Sequence, residues 1–90
     1  MTILYEPDQS RFRMPTPAGD ALVTIEWDGD VMLLAHAEVP AALRGTGAGG
    51  RLAQGVFEEI ERMGIKARPL CPFLLRVAKS DARWQRLFGL

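Results

Sequence analysis

Polar and apolar residues alternate through "SRFRM", residues 10–14, the period of a short strand with one buried face. "PTPAGD" follows, where Pro15, Pro17 and Gly19 predict a loop. The alternation resumes in "ALVTIEW": Ala21, Val23, Ile25 and Trp27 fall on one face of a strand, and Leu22, Thr24 and Glu26 on the other. Asp28-Gly29 is a two-residue hairpin signal. Residues 31–39 are apolar at nearly every position, which predicts a strand covered on both faces, and Pro40 ends its ladder for want of an N–H. The period then changes. Over residues 49–63, Leu52, Val56, Phe57, Ile60 and Met63 recur at helical spacing, while Arg51, Gln54, Glu58, Glu59, Glu61 and Arg62 take the opposite face. Gly64 stands where a left-handed cap belongs, with Ile65 able to pack back on the last turn. Gly55 inside this helix costs about 1 kcal/mol against alanine, a cost that close packing would explain. "IKARPL" reads as a further strand, and "PFLLRVAK" as a helix begun by Pro72. Asp81 can cap a last short helix in which Trp84, Leu87 and Phe88 share a face.

This order predicts an α/β (α+β) domain: a small, mostly antiparallel mixed sheet with the central helix across one face and short helices at the end. Ninety residues predict one domain, residues 1–90, with one modest core. Eleven basic and eleven acidic residues cancel, so the basic excess of a nucleic-acid binder is missing. The longest mainly apolar run, "VMLLAHA", is too short for a bilayer, and "MTILYEPDQS" lacks the features of a signal peptide. The single cysteine, Cys71, excludes an internal disulfide and suits a reducing compartment, so the cytoplasm is expected. Neither repeats nor low-complexity tracts interrupt the chain, and no metal site is predicted.

The chemistry concentrates in "LRGTGAGGRLAQG", residues 43–55. A glycine-rich turn running into a helix start exposes unpaired N–H groups, and without Cβ atoms an anion can approach the backbone closely. Arg44 adds a guanidinium that can grip phosphate oxygens in bidentate fashion. A diphosphate fits this nest; a tight corner between strand and helix would need fewer glycines than Gly45, Gly47, Gly49 and Gly50. Gly45, Gly47 and Gly50 also satisfy G-x-G-x-x-G, which opens a nucleotide or NAD reading. That fingerprint wants a parallel βαβ unit and an acidic residue on the next strand; "IKARPL" has none, and the preceding strand comes from an antiparallel hairpin. A kinase-type P-loop is excluded, since no Gly-Lys-Ser/Thr follows.

"RGTGAG", residues 44–49, resembles the Arg/Gln-x-x-Gly-x-Gly/Ala turn of the GCN5-related N-acetyltransferases. Together with "HAEVP", residues 36–40, and Cys71-Pro72-Phe73, the chain is similar to the family's small single-domain, acetyltransferase-like subfamily over roughly residues 10–88. The resemblance implies an acetyl-CoA-binding protein that transfers acetyl to an unidentified amine; charge balance and hydropathy predict no nucleic acid or membrane partner, and a small domain with apolar strand edges is expected as a monomer or weak homodimer. The resemblance also implies that Val39 and nearby backbone hold the pantetheine arm, and that Arg44, Gly45, Thr46, Gly47, Ala48, Gly49 and Gly50 hold the diphosphate of CoA. A non-catalytic CoA-binding or interaction module of the same fold is the alternative.

Two side chains are catalytic candidates. Cys71, before Pro72 at a helix start, could accept the acetyl group or protonate the CoA thiolate, because a helix N-terminus favours thiolate; it could equally be a small buried hydrophobe. His36, the only histidine, could deprotonate the amine or be a hydrogen-bonded structural residue, and Glu38 is a second candidate base. Arg51, Arg76 and Lys79 are candidates for the nucleotide's remaining phosphate, or ordinary surface cations. Where the subfamily carries a tyrosine and His-Pro-Glu beyond Cys-Pro-Phe, this chain has Val77 and Asp81-Ala82-Arg83. Cofactor binding is thereby better supported than turnover.

Overall fold

The computed structural model describes residues 2–90. Five strands form one sheet in the order of the chain: β1 (Leu4–Glu6), β2 (Arg11–Thr16), β3 (Gly19–Asp28), β4 (Val31–Glu38) and β5 (Ala67–Pro69). The first three pairings are antiparallel, and β4 and β5 run parallel. Helix α1 (Ala48–Met63) makes the crossover between those parallel neighbours, followed by α2 (Pro72–Lys79) and α3 (Ala82–Phe88). No described helix is long and apolar enough to cross a membrane.

One hydrophobic cluster joins the sheet to all three helices. Phe12, Met14, Ala21, Val23, Ile25, Met32 and Leu34 supply the sheet side, as the period-two pattern of β2 and β3 requires. Leu52, Val56, Phe57 and Ile60 supply α1, so the predicted stripe is the packed one, and Met63 is partly buried beside it. Phe57 is met edge-on by Trp84 and Phe88, with ring centroids 5.4 and 4.8 Å away. Trp84 Nε1 donates to Gln54 Oε1 at 2.8 Å, so the buried indole is not left with an unpaired donor.

Local signals behave as expected at the helix ends. Gly64 takes φ 67° and donates to the carbonyls of Ile60 and Glu61, and Asp81 accepts from Arg83 N at 2.8 Å. Gly55 sits under Ile3: a Cβ there would lie 2.6 Å from Ile3 Cγ1, so the helix glycine admits the segment leading into β1.

Four expectations need correction. Residues 15–19 are no loop: β2 runs to Thr16, β3 starts at Gly19, and Pro17-Ala18 turns between them. Pro15 is tolerated because β1 pairs β2 only as far as Arg13, leaving that stretch an edge. The hairpin between β3 and β4 turns on Gly29-Asp30, one residue later than predicted, since Asp28 still pairs with Val31. Trp27 continues the alternation but is 51% exposed, beyond the cover of the helices. Finally, residues 31–39 are covered on one face only. Met32 and Leu34 are buried, whereas no residue of the opposite face, including Leu22, Thr24 and Leu33, is fully buried.

Candidate functional site

The site begins with a fault in β4. Opposite β3, Thr24 pairs with His36 and Ile25 with Leu34, so Ala35 is an extra residue, a β-bulge. Because of it, Leu34 and Ala37 both lie toward the helices although three positions apart: Leu34 pairs with Ile25 and Ala37 with Val23, both core residues. The parallel pairing with β5 stops at the same place, with Leu34 opposite Pro69. The carbonyl of Leu34 accepts from both Leu70 N (3.0 Å) and Cys71 N (3.2 Å), and beyond this vertex the two strands part. The β5-facing edge of residues 35–39 is therefore left without a strand partner, while β3 pairs their other edge as far as Glu38.

The chain then crosses to α1 through a tight turn. Gly45 and Gly47 take φ 80° and 85°, a left-handed backbone that side chains resist. Thr46 braces the turn: its Oγ1 donates to the Leu43 carbonyl at 2.5 Å, and its own carbonyl accepts from Arg51 Nη1 at 3.3 Å. Gly47 is the N-cap and has no side chain to cap with, and the first helical bond is donated by Arg51 N to Gly47 O at 3.1 Å. The N–H groups of Ala48, Gly49 and Gly50 consequently open the helix without intrahelical partners.

Between the split strand and this helix start lies a cleft of about 340 Å³, lined by Ala37, Glu38, Val39, Leu43, Arg44, Gly45, Gly47, Ala48, Gly49, Gly50, Leu52 and Phe73. Every diphosphate candidate lines it except Thr46, whose part is to hold the turn. Val39 lines it as well. The sequence reading missed Leu43 and Leu52, whose apolar character looked like ordinary packing, and gave Phe73 no role of its own.

The four glycines have different physical reasons. Gly45 and Gly47 are fixed by backbone conformation. Gly49 lies under Phe73: a Cβ at that position would stand 3.1 Å from the ring's Cζ, so the ring would have to give way. Gly50 has neither reason: its φ is not positive, and no atom lies within 4 Å of where its Cβ would be. Glycine there lowers helix stability without relieving a clash or a left-handed backbone.

The charges point the same way. Arg11 and Arg13 share Glu6, Arg62 pairs with Glu59, and Arg83 with Glu61. Those hydrogen bonds hold the carboxyls of Glu6 (through Arg13 first, then Arg11) and Glu61 (through Arg83) below their ordinary range. None of these groups lines the cleft. Around it, Arg44, Arg51 and Arg76 have no carboxylate partner among the described residues, which leaves them available to an anion.

The two catalytic candidates are not brought into one pocket. His36 lies on the uncovered face of the sheet, 60% exposed, with Nε2 3.3 Å from Glu38 Oε1. Both line a depression of about 430 Å³ with Ala37, Val39 and Arg44. This depression shares Ala37, Glu38, Val39 and Arg44 with the cleft, so the strand end forms a common wall. Cys71 is at the vertex of the split, as the N-cap of α2, but is only 8% exposed and belongs to the core cluster. It lines neither space.

A helix crosses from a split strand to its parallel neighbour, and the glycine turn at its start leaves first-turn N–H groups open, a feature that suits an anion. Residues 11–87 match the sequence profile of the GCN5-related N-acetyl-transferase family, and the chain belongs to that family. No curated protein matches it. The glycine turn sits in a parallel β–α–β unit, contrary to the expectation from the antiparallel hairpin, but β5 is Ala-Arg-Pro and offers no acidic residue to a ribose.

Proposed function

We propose that the chain binds acetyl-CoA in this cleft and presents its thioester to an amine. Gly50 carries the reading. A helix position that gives up stability with no internal beneficiary is explained by a ligand whose oxygens approach the first-turn N–H groups, and a diphosphate meets that description. Arg44 lines the cleft and would neutralise the diphosphate, and the unpaired edge of residues 35–39 would offer the pantetheine amides a strand to bond to. Bound there, acetyl-CoA supplies an activated acyl carbon.

What remains for the chain is orientation and proton handling. The amine must lose a proton as it attacks the carbonyl, and the departing thiolate must gain one. On this reading the amine arrives from the depression beside His36 and Glu38, where His36 takes its proton and Glu38 steadies the imidazolium. Cys71, at the closed end of the split, would be the proton donor or transient acyl carrier. Its burial, and its absence from the depression that His36 lines, favour a second reading, a CoA-holding module of the same fold without turnover.

Native mass spectrometry with acetyl-CoA, and NAD in excess as competitor, tests the donor site. Retention of acetyl-CoA against NAD is expected; loss to NAD, or no adduct at saturating acetyl-CoA, removes the proposal. An acetyl mass without CoA that disappears in Cys71→Ala would assign the carrier role. If thiol release with an accepted amine is unaltered in both Cys71→Ala and His36→Gln, the catalytic roles fall while the donor site stands.

A further inference from the structure

The glycine turn separates two spaces. On one side is the cleft, on the other a hollow of about 470 Å³, and Gly47 and Gly50 line both. Arg51 lines the hollow and not the cleft, so it stands behind the turn rather than inside the candidate donor site. Its side chain curls back from the start of α1. Nη1 donates to the Thr46 carbonyl at 3.3 Å, and a Cβ on Gly47 would lie 3.4 Å from the same nitrogen. The guanidinium therefore rests against the peptide that joins Thr46 to Gly47. No carboxylate among the described residues draws it elsewhere.

The orientation of that peptide decides what an anion meets. A trans peptide directs its C=O and N–H to opposite sides, so a carbonyl held toward Arg51 leaves the Gly47 N–H directed away from it. This N–H has no hydrogen-bond partner among the described residues, and it directly precedes the open donors of Ala48, Gly49 and Gly50. Glycine at position 47 also permits the opposite orientation, because it adopts either sign of φ readily. A flipped peptide would set the Thr46 carbonyl oxygen where the N–H had been, and would repel an anion.

We propose that Arg51 is a positioning residue of the donor site: by holding the Thr46 carbonyl behind the turn, it keeps the Gly47 N–H aimed into the cleft as a further donor to the diphosphate. The inference rests on the acetyl-CoA reading above. It gives Arg51 a part that involves no contact with the ligand, in place of the phosphate contact considered from the sequence.

The test follows the Gly47 amide by NMR in the ¹⁵N-labelled full chain, titrated with acetyl-CoA, for the wild type, Arg51→Met and Arg44→Ala. Methionine keeps an unbranched side chain and a similar helix propensity but has no donor. In the wild type the Gly47 amide proton should move downfield on binding, as it donates to a phosphate oxygen. Arg51→Met should lose that shift at saturation and bind about ten-fold or more weakly, the worth of one hydrogen bond to a charged group. Arg44→Ala loses a cation but keeps the brace, so its Gly47 shift should persist at saturation despite weaker binding. An Arg51→Met protein that keeps both affinity and shift overturns the brace. One that binds weakly yet keeps the shift overturns it too, because Arg51 would then be touching the ligand. A wild type that binds without moving the Gly47 amide overturns the positioning role and leaves the donor site intact, whereas a wild type that does not bind acetyl-CoA overturns both.

Discussion

Replacing Gly50 by alanine separates stability from binding. Gly50 is the third residue of α1, with an ordinary φ and open space where a Cβ would go. Alanine at such a position should stabilise the fold by about 0.5–1 kcal/mol, by restricting the unfolded chain and favouring helix. For a domain of this size that corresponds to a rise in Tm of about 2–8 °C. Gly50 lines the cleft, so on the proposed reading the same methyl should crowd the diphosphate. Loss of one hydrogen bond to a charged group costs about 1.5–3 kcal/mol, so acetyl-CoA affinity should drop by about ten- to a hundred-fold. Thermal unfolding without ligand and calorimetric titration with acetyl-CoA measure the two effects on one preparation. A more stable protein that binds acetyl-CoA as well as the wild type would refute the argument, because the bare backbone would then serve no ligand. A less stable one would mean that Gly50 has a structural duty of its own.

Three further outcomes are expected. Arg44→Ala should weaken acetyl-CoA binding by at least about ten-fold, the worth of a charge-assisted contact; Lys79→Ala, lying outside the cleft, should do much less, and an equal or reversed order in titration would count against the turn as the phosphate site. Gly55→Ala should fail to show the usual helix gain of about 1 kcal/mol, because the new methyl meets Ile3, and Ile3→Ala in the same chain should restore it; additive effects in the four-variant cycle would disprove that contact. Glu6 is held ionised by Arg13 and Arg11, so its folded pKa is lowered. Its stabilisation is complete above the unfolded value of about 4.3 and is lost as pH falls below it through the lowered native value. Thermal midpoints between neutral and acid pH should accordingly fall less steeply in Glu6→Gln than in the wild type, and parallel curves would show that the fork contributes nothing.

What the sequence determined by itself was local. The helical period of α1, the cap at Gly64, the Asp81 cap and the alternation of β3 depend on residues within a few positions of one another, and each formed as its pattern required. The glycine turn was legible for the same reason: Arg44 to Gly50 are neighbours along the chain, so one segment carries most of the candidate donor site. Other features were settled only by contacts between distant segments. β1 is three residues long and exists because it pairs with β2 and is seated by Ile3 against the notch at Gly55. The bulge at Ala35 has no sequence mark, since it arises from the register of β4 on β3. The parallel pairing of β4 with β5 needs α1 to carry the chain back across the sheet, and its termination at Leu34 is what leaves an edge free for a ligand. Cys71 and His36 read alike as reactive residues in the sequence. The tertiary fold alone buries one at the vertex and turns the other to solvent, because burial depends on which face a neighbouring element covers. Phe73 shows the same limit: helical spacing places it on α2, but only the packing of α2 against α1 brings its ring onto Gly49 and into the cleft.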